Sequence, residues 1–170
     1  RARVSMAVFT EVPEADARAL AQRLGLGELS ALRGIEGGIE NTNYFVDSDR
    51  GSFVLTLFER LSHAELPFYL ELMRHLAQKG VPVPAPHANA AGQILHTVAG
   101  KPAALVDKLA GASVLAPQAA HCAAIGSALA QLHLAGADFA LQQPNLRGLP
   151  WIAQTVPVVL PHLDAAQSEL

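Results

Sequence analysis

The sequence predicts an α+β chain in which a small antiparallel sheet with one packed helix gives way to helices alone. Three observations carry this. Up to Leu109, short runs rich in β-formers alternate with Gly, Asn and Asp turn signals. One long stretch of helical periodicity, Glu65 to Lys79, interrupts those runs. After Gly111 the chain turns Ala- and Leu-rich, with no further strand signal.

Taken in order, Pro13 to Leu24 (PEADARALAQRL) has apolar residues at helical spacing and acidic residues in its first turn, with Thr10 as candidate cap. Gly25 and Gly27 stop it. Strands are expected near Leu29 to Ile35, from Asn43 to Val46 and from Ser52 to Phe58, with a turn at Asp47-Ser48-Asp49-Arg50-Gly51. The helix Glu65 to Lys79 ends at Gly80. Val81 to Pro86 alternates prolines, cannot be helical and should cross the surface extended. A hairpin follows: Gln93 to Val98, a turn at Ala99-Gly100, then Pro102 to Leu109. Pro117 to Leu134 reads as a helix with Pro117 in its first turn, Gly136 to Pro150 as a loop, and Trp151 to Leu170 as one or two short helices broken by Pro157 and Pro161.

Bulk composition narrows the function classes. The 170 residues are 51% hydrophobic and 16% charged, ample for a buried core and too apolar for general disorder. A formal charge of −3 gives no electrostatic reason to propose nucleic acid as partner. The single cysteine, Cys122, allows no internal disulfide, points to a reducing, cytoplasmic setting, and is expected as a buried structural thiol in its Ala-rich helix. No apolar run approaches the roughly 20 residues of a membrane helix. Residues 1–5 read as a leader or extension, since no apolar segment follows to make a signal peptide. The histidines lack metal-ligand spacing and Cys122 lacks a partner, so a protein-bound zinc site is rejected.

The segment Gly34 to Phe45 (GIEGGIENTNYF) closely resembles the first hairpin loop of bacterial homoserine kinases, members of the aminoglycoside-phosphotransferase-like family with a protein-kinase-like fold. Tyr44 to Phe58 with its VLTL core, the stretch LPFYLELMRHLA, the following GVPVPAP, GKPAALV (Gly100 to Val106) and ALAQLHLAGADF (Ala128 to Phe139) are similar to the same family. The resemblance implies a kinase-like nucleotide-binding lobe over 6–109, a sheet of about five strands with one packed helix, then the hinge and first helices of an incomplete helical lobe over 110–170. It further implies ATP- and Mg2+-dependent phosphorylation of the L-homoserine side-chain hydroxyl, with choline, methylthioribose or aminoglycoside kinases as sister alternatives. A non-catalytic nucleotide- or partner-binding module of the same fold is the reading from another class.

Site residues follow from resemblance and local chemistry together. The loop Glu36 to Thr42 joins two strands where such folds cover the triphosphate, so Gly37, Gly38, Glu40, Asn41 and Thr42 are expected to bind phosphate. Gly37 and Gly38 can reach positive φ, Asn41 tolerates left-handed geometry with its amide on the loop backbone, and exposed N–H groups make an anion-binding concavity. Thr56 falls where kinases usually carry a strand Lys. Arg60 or Lys108 is the candidate replacement cation, and Glu71 is either its orienting carboxylate or a solvated helix-face residue. At the lobe change, Leu105 and Val106 would flank adenine while the backbone of Val106, Asp107 and Lys108 meets its edge. His133 in LAQLH reads as structural. Kinases need an H-x-D-x-x-x-x-N loop; His162-Leu163-Asp164 imitates its start, but Glu169 stands at the Asn position, so His162 and Asp164 are a decoy. The catalytic base and the Mg2+ ligands are therefore expected beyond residue 170, and the chain alone is expected to be inactive, with uncovered apolar helix faces that favour self-association.

Overall fold

The computed structural model describes residues 8–36 and 38–163. Two compact units divide between Ala140 and Leu141. The first holds α1 (Glu14–Arg23), β1 (Leu29–Gly34), β2 (Asn41–Ser48), β3 (Gly51–Phe58), α2 (Pro67–Gln78), β4 (His96–Val98), β5 (Lys101–Asp107) and α3 (Ala119–Gly136). The five strands form one antiparallel sheet in the order β1-β2-β3-β5-β4, which is the fold class expected.

Side chains alternate across this sheet and so divide into two cores. Tyr44, Val46, Phe53, Leu55, Leu57, Ala103 and Leu105 face α1, where Ala17 and Leu20 meet them. Ala104 and Val106, with the half-buried Val54 and Phe58, face the other way and pack on Leu66 and Leu70 around α2. The two-residue turn Asp49-Arg50 joins β2 to β3 along their full length, from Asn41↔Phe58 to Ser48↔Gly51. Strand β2 is therefore longer than Asn43 to Val46, because cross-strand pairing recruits the polar residues at both ends. In the β4–β5 turn both Ala99 (φ 48) and Gly100 (φ 73) are left-handed, the geometry whose twist matches a two-residue hairpin.

Several local expectations are corrected. Pro13, not Thr10, is the N-cap of α1. Thr10 is instead tied to β2: its N–H donates to Thr42 Oγ1 at 3.1 Å and its carbonyl accepts from Tyr44 Oη at 3.1 Å. The proline-rich crossing after α2 is not helical, as expected, but it is extended only in its later part: it bends at Pro82-Val83, where the Val83 N–H donates to the Val81 carbonyl at 2.8 Å, and then joins β5. Pro86 bridges Val106, the Asp107 N–H donates to the Ala85 carbonyl at 3.1 Å, and the His87 N–H donates to Leu105 at 2.9 Å. Pro86 thus occupies a pair that exchanges no backbone bonds, where its missing N–H costs nothing. Pro117 lies just before α3, whose N-cap is Gln118 in reciprocal bonding with His121.

Cys122 is exposed, contrary to the expected buried thiol. The reason is that, among the described residues, α3 is secured only near its C-terminal end. There His75 Nε2 lies 3.0 Å from both the Ala135 carbonyl and Asp138 Oδ1, and Lys79 Nζ donates to Ala135 at 2.9 Å and pairs with Asp138. Phe139 adds edge contacts to Phe68 and His75. The earlier turns, with Ile125 and Leu129, lie open among the described residues. His133 is also exposed.

The second unit holds α4 (Leu149–Val159) and a 3₁₀ turn, Leu160–His162. Pro157 sits inside α4 rather than breaking it. It falls in the last turn, so only the Ala153 carbonyl loses its helical partner. Among the described residues no helix is long and apolar enough to cross a membrane.

Candidate functional site

The glycine-bearing segment is the connection between β1 and β2. It is shorter than Glu36 to Thr42, since Asn41 and Thr42 already belong to β2. The Ile35 N–H donates to the Asn43 carbonyl at 2.9 Å and closes its base. Gly37 lies outside the described residues. Gly38 is not left-handed; its requirement is space. A Cβ there would stand 2.9 Å from the Asn41 carbonyl oxygen and 3.5 Å from Asn43 Nδ2, so only glycine lets the loop lie this close to β2. Glu40 is exposed, as is Ile39.

Asn41 pairs with Phe58 in the ladder and is not left-handed; the amide that meets a backbone carbonyl belongs to Asn43, whose Nδ2 lies 3.5 Å from the Asn41 oxygen at the start of β2. Thr42 is fully buried on the α1 side. Its Oγ1 accepts the N–H groups of Phe9 at 2.9 Å and Thr10 at 3.1 Å and donates to Glu59 Oε1 at 2.7 Å. That fills one donor and two lone pairs, so the hydroxyl has nothing left to offer a phosphate. Glu59 in turn pairs with Lys101 Nζ at 3.2 Å. Burial pushes the Glu59 carboxyl up, but the hydroxyls of Thr42 and Thr10 and the ammonium of Lys101 outweigh it and hold the group below its ordinary value.

On the opposite face of the sheet, Asn43, Phe45, Val54 and Thr56 form a half-buried patch beside buried Val106. Phe45 stands across from Val54, and Asn43 across from Thr56. Thr56 donates its hydroxyl proton to Asn43 Oδ1 at 2.7 Å. The position expected for a strand Lys thus holds a neutral, locked polar pair. Lys108 Nζ lies over the Phe45 ring, 4.4 Å from its centroid, at the end of the strands remote from the glycine loop. Arg60 is exposed, and Glu71 pairs with Arg74 on its own helix. Neither cation is placed at Thr56.

At the end of β5, alternation separates two residues expected to act together. Leu105 is buried in the α1-side core, whereas Val106 faces the patch. Leu105 therefore cannot flank a ligand on the patch with its side chain. Asp107 Oδ1 accepts from His87 Nε2 at 2.7 Å, and the Lys108 N–H donates to the Ser52 carbonyl at 3.2 Å. His162 lies in the 3₁₀ turn, and Asp164 falls outside the described residues. Among the described residues no group of three or more His, Cys, Asp or Glu side chains could hold a metal ion. Asn43, Phe45, Glu59 and Lys101 escaped the sequence reading. The first two share a face with Thr56 once β2 is paired with β3, a register that alternation in the sequence could have supplied.

An antiparallel sheet with a helix on each side, a close-lying glycine loop at one end and a switch to helices at the other define the smaller lobe of a kinase-like fold. The chain belongs to the phosphotransferase enzyme family, which it matches over residues 31–170. It is 61% identical over 165 residues to a homoserine kinase of Polaromonas naphthalenivorans, covering 97% of this chain and 52% of that protein. A homoserine kinase of Cupriavidus necator is 52% identical over 169 residues, covering 97% and 51%. The resemblance read from GGIENTNYF and GKPAALV is borne out by these relatives, of which the chain spans about half the length. Among solved structures, a spectinomycin phosphotransferase in complex with ADP and spectinomycin superimposes with a TM-score of 0.57 at 15% identity, over 92% of this chain and 49% of that one. At that identity it speaks for the fold alone.

Proposed function

We propose that the chain is the nucleotide-binding part of an ATP-dependent kinase that phosphorylates the side-chain hydroxyl of L-homoserine. The observation that carries this is the 61% identity to a homoserine kinase across nearly the whole chain. The ADP in the spectinomycin phosphotransferase supports a nucleotide on this fold.

The residues fit such a ligand. Adenine would lie on the apolar end of the patch, against Phe45, Val54 and Val106, held by apolar contact because the N–H groups of Asp107 and Lys108 are already bonded to the Ala85 and Ser52 carbonyls. The triphosphate would run toward the loop, where Gly38 carries no Cβ to stand in the approach. Phosphoryl transfer depends on positioning and electrostatic stabilisation, and this part supplies the positioning. The described residues offer no cluster of side chains that could hold magnesium. Its ligands and the general base belong, in this proposal, to the length that the relatives carry beyond the matched half.

The test is ADP release by the full-length protein with L-homoserine, choline, methylthioribose and an aminoglycoside as acceptors. Turnover with homoserine well above the others is expected, and negligible turnover from the 170-residue chain alone. Preference for another acceptor would sink the assignment, as would activity of the isolated chain.

A further inference from the structure

The patch lacks the strand Lys, yet a triphosphate beneath the loop needs a donor from the sheet. We infer that the side-chain amide of Asn43 is that donor, and that Thr56 is the positioning residue that aims it. This rests on the nucleotide reading above and goes beyond it by naming the group that replaces the lysine.

The orientation of the amide is settled by its neighbours. Thr56 lies 2.7 Å from Oδ1 and donates to it. On the other side, Nδ2 faces the Asn41 carbonyl at 3.5 Å. Turning the amide over would set two carbonyl oxygens against each other, so the NH2 end points toward the loop. The NH2 group has two protons. The Asn41 carbonyl takes one across a long contact, and the other has no partner among the described residues. Gly38 lies beside this NH2 group, since a Cβ on it would stand 3.5 Å from Nδ2. Gly38 of the loop and the Asn43 amide are therefore neighbours. An anionic oxygen arriving beside Gly38 would meet the amide of Asn43.

Thr56 is a poor candidate for direct contact. Its side chain is short, and its only proton is committed to Asn43. Its role is to hold Oδ1 so that Nδ2 cannot turn away. A neutral donor binds phosphate less strongly than an ammonium, so the loss expected on removing it is moderate.

The experiment measures binding of ATP and of adenosine, by calorimetry, to the full-length protein and its variants. Asn43→Asp keeps the acceptor for Thr56 but sets a carboxylate under the phosphates. ATP affinity should fall by more than about tenfold while that of adenosine changes by less than about twofold. Asn43→Ala removes the donor without adding charge and should lower ATP affinity by about tenfold with the same selectivity. Thr56→Val should reproduce part of the ATP-specific loss, and Thr56→Ser should restore binding. Parallel losses for ATP and adenosine would show a merely structural role and overturn the inference, as would unchanged ATP binding in both Asn43 variants. If the unmodified protein fails to bind ATP, the nucleotide reading itself falls, an outcome distinct from the other two.

Discussion

Replacing Thr42 with Val tests whether the glycine loop's neighbour is structural rather than a phosphate ligand. The substitution nearly conserves volume but deletes a hydroxyl that is fully buried and uses all its hydrogen-bonding capacity. Loss of the bond to the Glu59 carboxylate should cost about 1.5–3 kcal/mol, since its acceptor is charged. The N–H groups of Phe9 and Thr10 sit in a partly exposed segment where water can replace the lost acceptor, so each adds only about 0.5 kcal/mol. A total of about 2.5–4 kcal/mol is expected from urea denaturation of the full-length protein, with Thr42→Ser costing much less. The same variant should change the acid limb. Because the Glu59 carboxyl is held below its ordinary value of 4.5, its stabilisation is complete above that pH and is lost as pH falls through the lowered value. Thr42→Val should shrink this acid-dependent loss. A variant within about 0.5 kcal/mol of the parent would refute the reasoning.

Two other perturbations follow from the same structure. Ala99 holds a left-handed φ of 48° without the freedom of glycine, so Ala99→Gly or Ala99→Asn should raise stability by about 0.5–1 kcal/mol in thermal denaturation, and a loss would count against the turn geometry. His96 is buried and donates through Nε2 to the His87 carbonyl at 3.1 Å. Burial lowers its pKa from 6.5, and the charge of Arg23 adds to this, while the bond to His87 partly opposes both. The unfolded chain therefore takes up a proton that the folded one refuses, and stability should fall as pH drops from 6.5 through the lowered value. His96→Gln should flatten that slope relative to the parent, and identical slopes would exclude the assignment.

Much of the fold was legible because strand and helix periods, turn residues and prolines agreed with one another. The β2–β3 turn read from local chemistry as Asp47 to Gly51 is there, narrowed to Asp49-Arg50 by the pairing of its flanks, and the proline run is non-helical as its residues dictate. What escaped depended on partners distant in sequence. Asn41 looked like a loop residue because Asn favours turns, yet pairing with Phe58 drew it into β2. Thr42 looked available because threonine is usually surface-exposed, yet three groups from two distant segments converge on it. Leu105 and Val106 were both apolar and adjacent, and only the register of β5 against β3 shows that they serve opposite faces. Cys122 failed for the converse reason: an apolar helix implies burial only if something covers it, and composition cannot say what does.

The bridge at Pro86 has a consequence for association. Strand β4 shields only the first part of β5, from Lys101 to Ala103, so the rest of that sheet margin would offer unpaired backbone to any passing strand. The Ala85–His87 segment takes those hydrogen bonds instead. At Pro86 the backbone nitrogen faces away from β5, where an incoming chain would seek a donor, and the pyrrolidine ring has none. The proline run that follows the second helix thus doubles as a guard against edge-to-edge aggregation, built from the same residues that make helix impossible there.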